Sequence, residues 1–190
     1  MPELWEESVP SARRALHPAQ VPELRRHNDQ GAIENGVELV VHPNPILRTH
    51  AVAVERVGKQ ERRVLRQMLK HMRRWKGIGL AAPQVASLQQ LVAVEVNGQA
   101  LLWANPKILE ENGAGYLEEG CLSIPDTFVN VKRAAEVWVQ ALNIDNRPVE
   151  LKIEGLTARV VQHEVDHLNG VLIIDHGPAV ERHTVERGDA

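Results

Sequence analysis

The sequence is poor in aromatic residues and cysteine, and it lacks a long apolar run. Phe, Trp and Tyr together make up 3% of the 190 residues, so a hydrophobic core has to be built from Val, Leu, Ile and Ala. The single cysteine, Cys121, excludes an internal disulfide framework and fits a reducing compartment. No apolar run approaches the roughly 20 residues that a membrane-spanning helix needs.

An excess of positive charge is also absent. The formal net charge is −3, so we expect neither sequence-specific nucleic-acid binding nor association with an anionic membrane. The first 20 residues contain no apolar signal core, and Glu3, Glu6 and Glu7 are atypical of an acid-poor transit peptide. These features together predict a cytoplasmic protein.

Composition divides the chain into three parts. Residues 1–38 carry four prolines and two arginine pairs with little apolar periodicity, which predicts an N-terminal extension that is partly ordered. Residues 39–176 have the composition of one globular domain, and residues 177–190 form a short polar tail.

The periodicity of the globular part predicts an α+β fold. A helix is expected between Gly58 and Gly77, where apolar residues recur at helical spacing. Strand-like runs follow in LQQLVAVEV, ALLWANPKIL, AEVWVQALNI and VELKIE. Because strands dominate the middle without βαβ alternation, we predict a mainly antiparallel β-sheet packed around a second, central helix.

That second helix contains the sequence QHEVDHLNG, residues 162–170. Residues four apart differ by about 40° around a helix, so His163 and His167 point the same way, one turn apart. Two such imidazoles can bind one metal ion, with Glu164 beside them as general base. A lone histidine on an apolar helix is usually structural, but the HExxH pattern is much rarer by chance. The pattern therefore predicts a divalent metal site.

A catalytic site of this kind needs a third ligand. The extended pattern HExxHxxGxxH fails, because Ile173 stands where its third histidine would fall. Two candidates remain open: Glu186, as in a metallopeptidase, and Cys121, unless that thiol is only a small buried apolar group. A thiolate with two imidazoles suits Fe(II), Co(II), Ni(II) or Zn(II).

Three stretches, in this order, resemble the signature motifs of the peptide deformylase family: GIGLAAPQ, EGCLS and QHEVDHLNG. The likeness covers about residues 39–175. It implies a metal-dependent hydrolase that removes the N-formyl group from the methionine of new polypeptides, releases formate and contacts the ribosome transiently. The resemblance further implies one divalent metal, usually Fe(II), with Zn(II), Ni(II) or Co(II) as substitutes, bound by Cys121, His163 and His167.

The resemblance also implies roles for further residues. Glu164 would be the acid/base, and Gln84 and the backbone N–H of Leu122 would stabilise the oxyanion. The residues expected around the methionine side chain are Ile78, Leu122, Val160 and His163. The peptide backbone is expected to pair at Gly79 and Gly120.

The sequence departs from the family pattern at Phe128, where many relatives carry an arginine that grips the peptide. Two other functions remain as alternatives. One is an HExxH metallopeptidase that uses Glu186, and the other is a non-catalytic, deformylase-like binding protein. The presence of Glu164 and Gln84 argues against the latter, since neither residue is needed for folding or for plain metal binding.

Overall fold

A computed structural model describes residues 37–180. This part of the chain has seven β-strands in two antiparallel sheets and two α-helices, which confirms the predicted α+β class. The expectations for residues 1–36 and 181–190, including Glu186, lie outside the described residues.

The first helix, α1, runs from Lys59 to Arg74 and begins where predicted. Its start is stabilised because the backbone N–H of Gly58 donates to Glu61 Oε2 at 2.7 Å. The side chains that it buries recur every three to four residues, as an amphipathic helix requires: Val64, Leu65, Met68 and Met72.

The seven strands in chain order are β1 (Gly79–Ala81), β2 (Leu91–Val96), β3 (Gln99–Asn112), β4 (Gly115–Cys121), β5 (Ile124–Arg133), β6 (Glu136–Asn143) and β7 (Pro148–Glu154). Five of them form the main sheet, in the order β1-β2-β3-β6-β7, and all neighbouring strands in this sheet are antiparallel. In β6, Val137, Val139 and Ala141 alternate with more exposed residues, so one face of this sheet belongs to the core.

The second sheet is the hairpin β4–β5, which the sequence patterns did not predict. Its signal is weak because β4 buries only one side chain, that of Glu119. Val129 and Val131 of β5 are fully buried, whereas most of β4 is exposed. A strand that buries so few apolar side chains shows little of the alternation by which strands are recognised.

The second helix, α2, runs from Gly155 to Leu168 and packs against β1 and β2, next to the hairpin. Asn169 is its C-cap, and Gly170 follows with a φ of 70°. A Cβ at residue 170 would lie 2.6 Å from the backbone oxygen of Arg48, so this turn requires glycine. No helix among residues 37–180 is long and apolar enough to span a membrane.

Candidate metal centre

Helix α2 and strand β4 bring three metal-binding side chains together. His163 and His167 come from adjacent turns of α2, and Cys121 is the last residue of β4. The candidate ligand atoms all lie within 4.8 Å of one another, and Cys121 Sγ is 3.2 Å from His167 Nε2. These separations suit a common ion with bonds of about 2.0–2.3 Å. The donor set therefore fits a divalent metal.

The two imidazoles differ in their surroundings. His163 Nδ1 lies 3.0 Å from Glu119 Oε2, which leaves Nε2 to face the other donors. His167 is 1% exposed, and burial holds its pKa well below the usual value, so its ring is neutral, as a metal ligand must be. Burial opposes a charge on His163 too, but Cys121 and Glu119 raise its pKa to about 10. Cys121 and Glu119 therefore favour a positive charge at this site.

Glu119 is the centre of a buried ionic network that the sequence analysis did not identify. Arg133 donates to both of its oxygens at 3.1 Å, and Arg159 donates to Oε1 at 2.8 Å. Burial alone would raise the pKa of Glu119, but hydrogen bonds from His163 and Arg133 lower it to about 2. The network continues from Arg133 to Asp166 at 2.5 Å. In the sequence, the only indication of this network is the position of Glu119, two residues before the candidate ligand Cys121.

Glu164 lies in the same site with a carboxyl group that is 2% exposed. Its Oε2 is buried and has no hydrogen-bond partner among residues 37–180. Burial raises the pKa of this carboxyl to about 7. A Cβ at Gly79 would lie 2.1 Å from Glu164 Oε1, so the glycine lets β1 approach the carboxyl group.

Gln84 reaches the site from a 3₁₀ turn, Ala82–Val85, that follows β1. Its Oε1 accepts from the backbone N–H of Ala81 at 2.8 Å, and its Nε2 donates to Ser123 Oγ at 3.1 Å. The same Nε2 lies 3.7 Å from Cys121 Sγ. These bonds fix an amide donor beside the candidate metal ligands.

A groove of about 680 Å³ opens in front of these groups. The predicted site residues that line it are Ile78, Gly79, Gln84, Gly120, Cys121, Leu122, Val160, His163 and Glu164. His167 is buried beside Cys121. The groove also has apolar walls that the sequence analysis did not assign to it: Leu117 and Leu156 are 50% and 48% exposed there.

Comparison with known proteins shows to which family this chain belongs. The profile of the polypeptide deformylase family matches residues 37–183. The chain belongs to this family. A peptide deformylase of Dictyoglomus thermophilum is 42% identical over 132 residues, which are 70% of this chain and 86% of the relative. Deformylases are metal-dependent hydrolases that remove the N-formyl group from new polypeptides, and membership assigns this reaction to the chain.

Solved deformylase structures share the fold. The crystal structure of the Thermotoga maritima enzyme matches with a TM-score of 0.72 at 39% identity, covering 75% of this chain and 98% of that one. A class I type b deformylase from Acinetobacter baumannii, solved with Met-Ala-Ser bound, matches with a TM-score of 0.70 at 34% identity. That match covers 74% of this chain and 98% of the relative.

Proposed function

We propose that this chain deformylates N-formylmethionyl nascent peptides in the cytoplasm, with its metal held by Cys121, His163 and His167. The observation that carries the proposal is the convergence of these three donors beside a buried carboxyl group. The catalytic domain spans residues 39–176, between an extension of residues 1–38 and a tail of residues 177–190. Contact with the ribosome is transient.

The native metal is Fe(II), and Zn(II), Ni(II) or Co(II) can replace it. One thiolate and two imidazoles are suitable ligands for all four ions. When bound, the ion supplies Lewis acidity, which lowers the pKa of a water molecule and polarises a carbonyl group. Glu119 orients the ring of His163 through the bond at Nδ1, which selects Nε2 as the ligand atom.

Glu164 moves the proton. Its Oε2, which has no hydrogen-bond partner in the described part of the chain, can accept a proton from the attacking water. The carboxylic acid can then deliver that proton to the departing amine nitrogen. A pKa of about 7 supports both steps, because a group that titrates near the working pH both takes and releases a proton.

Gln84 and the backbone N–H of Leu122 stabilise the negative charge that develops on the formyl oxygen. Gln84 is suited to this role because its side chain is 2% exposed and held by two neighbours, Ala81 and Ser123. A donor whose position is set before reaction stabilises the transition state without reorganisation. The cavity at the formyl carbon excludes larger acyl groups.

The groove accepts the peptide by its backbone. The methionine side chain lies among Ile78, Leu122, Val160 and His163, and the backbone pairs at Gly79 and Gly120. Pairing through backbone gives affinity that tolerates many later side chains, as processing of nascent chains requires. The Acinetobacter relative with Met-Ala-Ser bound supports a groove that holds a short peptide.

Metal analysis of anaerobically purified protein, combined with product analysis, tests the proposal. We expect about one ion per chain, formate from formyl-Met-Ala-Ser, and little acetate from acetyl-Met-Ala-Ser. Cleavage of internal peptide bonds without formate would instead indicate the metallopeptidase. Bound metal without any turnover would indicate the non-catalytic binding protein.

A further inference from the structure

The hairpin β4–β5 has two chemically different faces. Glu119 of β4 and Val129 and Val131 of β5 are buried, so this first face looks towards the core. On the second face, Glu118 and Gly120 are exposed, as is Asn130, and Phe128 is half-buried. The register places Gly120 directly opposite Phe128 and Glu118 opposite Asn130, so each of these pairs shares the second face.

Phe128, the only phenylalanine of the chain, lies over Gly120. A Cβ at Gly120 would be 3.0 Å from Phe128 Cε1 and 3.3 Å from Cδ1. A side chain at residue 120 would require the ring to move by a few tenths of an ångström. Because glycine has no side chain, the ring can extend across β4 towards the groove, which both residues line.

Pairing of a peptide with β4 at Gly120 sets which of its side chains meets this ring. Among residues 37–180, β4 pairs only with β5, so its other edge is the one at which a peptide strand can be added. Side chains of neighbouring strands that lie opposite each other share a face, and successive side chains alternate between faces. The peptide residue opposite Gly120 therefore lies on the face of Phe128.

Methionine precedes this peptide residue. In the proposed function its side chain lies beside His163, whose Nδ1 is 3.0 Å from Glu119 Oε2, and Glu119 lies on the first face of the hairpin. The residue after methionine then projects to the second face, in line with Gly120 and Phe128. This arrangement rests on the proposed function, since it requires the formylmethionyl peptide to occupy the groove.

We propose that Phe128 determines specificity at the residue that follows methionine and favours large apolar, above all aromatic, side chains. The ring offers an apolar surface at the groove, and one aromatic pair changes a binding constant by about three- to tenfold. Formyl-Met-Phe and formyl-Met-Leu peptides are accordingly better substrates than formyl-Met-Gly peptides.

The test compares kcat/KM for formyl-Met-X-Ala-Ser, with Phe, Leu or Gly at X. In the wild type we expect phenylalanine to exceed glycine by about three- to tenfold, mainly through KM, because the contact is made equally in the ground state and the transition state. Phe128→Ala should reduce the ratio to within about twofold. Phe128→Leu should retain a preference for leucine over glycine and lose that for phenylalanine over leucine.

Tyr116→Ala is the matched control. Tyr116 is 67% exposed on the same face of β4, four residues before Gly120, and it does not line the groove. The control should keep the wild-type ratio. Circular dichroism verifies that each variant is folded. If Phe128→Ala does not fold, the kinetics of Phe128→Leu test the inference.

Three results would overturn the inference: a phenylalanine-to-glycine ratio near one in the wild type, the wild-type ratio retained in folded Phe128→Ala, or the wild-type preference for phenylalanine over leucine retained in Phe128→Leu. All three are distinct from failure of the proposed function. If the proposed function fails, wild-type enzyme with its metal bound releases no formate from any of the three peptides.

Discussion

Glu164 shows how one residue can combine a motif position with an unusual environment. The HExxH pattern indicates a glutamate beside two histidines, but the pattern alone does not say that the carboxyl group is buried. In the fold, one of its oxygens lacks a partner among residues 37–180, and burial raises its pKa to about 7. A carboxyl group in this state costs folding free energy, which is usual for a group retained for proton transfer.

Replacing Glu164 by glutamine should abolish most turnover while preserving the fold. The amide has nearly the same shape but cannot carry the proton, so we expect kcat to fall at least about a hundredfold with metal content unchanged. Formate release and metal analysis measure the two effects. Glu150→Gln, which changes an exposed glutamate of β7, is the control. Near-native turnover in the Glu164 variant would refute the proton-transfer role.

At the scale of elements, the site depends on how closely β1 approaches α2. Gly79, the second glycine of GIGLAAPQ, permits this approach. A Cβ at Gly79 would meet Val160 Cγ1 at 2.7 Å as well as the carboxyl group of Glu164, and a Cβ at Gly77 would lie 2.7 Å from Leu122 Cδ1. Both glycines thus serve the packing of groove-lining side chains.

Gly79→Ala should therefore move Glu164 or separate β1 from α2. We expect a loss of about 1–3 kcal/mol in the free energy of unfolding, typical of overpacking, together with a lower kcat. Denaturant unfolding and formate release measure these changes.

Gly115→Ala is the matched comparison, because a Cβ at that glycine, also in a strand, meets nothing within 4 Å. Its stability and turnover should stay close to wild type. Equal losses in both variants would show that the effect at residue 79 comes from the glycine backbone and not from the contact with Glu164.

At the scale of the whole molecule, the proposed metal site joins elements that are distant in the chain. Cys121 ends a strand of the hairpin, and the two histidines belong to α2, which follows three further strands. An ion bound to all three ligands therefore connects the hairpin to the helix. Because the unfolded chain holds no preformed site, metal binding stabilises the fold.

Chelation should lower Tm, and Cys121→Ala should abolish the metal-dependent part of that stability. At 100 times the dissociation constant, a ligand contributes about 2.7 kcal/mol, which corresponds to about 5–10 °C for a domain of this size. Calorimetry with and without chelator measures the shift. Alkylation of Cys121 should be slow with metal and fast after chelation, because a bound thiolate is protected.

Deletion of residues 181–190, which removes Glu186, separates the two candidate third ligands. We expect the shortened protein to keep its metal and the thiolate-to-metal absorption of its Co(II) form. If the deletion strips the metal and Cys121→Ala does not, Glu186 is the third ligand, and the assignment to Cys121 is wrong.

Much of this protein could be predicted from local sequence. Helix α1 and strands β2, β3, β6 and β7 can be predicted because each carries an apolar run or an alternating pattern in the sequence, and the family can be recognised from three short motifs. The second histidine of the motif follows the first by one helical turn, so their common direction is also a local property.

The tertiary structure decided what depends on contacts between distant segments. Spacing along the chain leaves Cys121 and Glu186 both open as third ligand, and Glu186 lies outside the described residues. The packing of β4 beside α2 places Cys121 Sγ 3.2 Å from His167 Nε2, which supports Cys121. The same holds for Glu119, whose neighbours Arg133, Arg159 and His163 come from two other elements. The hairpin could not be predicted because β4 buries only Glu119, and the position of Phe128 over Gly120 depends on the pairing of the two strands. Such contacts are set by the pairing of strands and the docking of a helix, which no local period encodes.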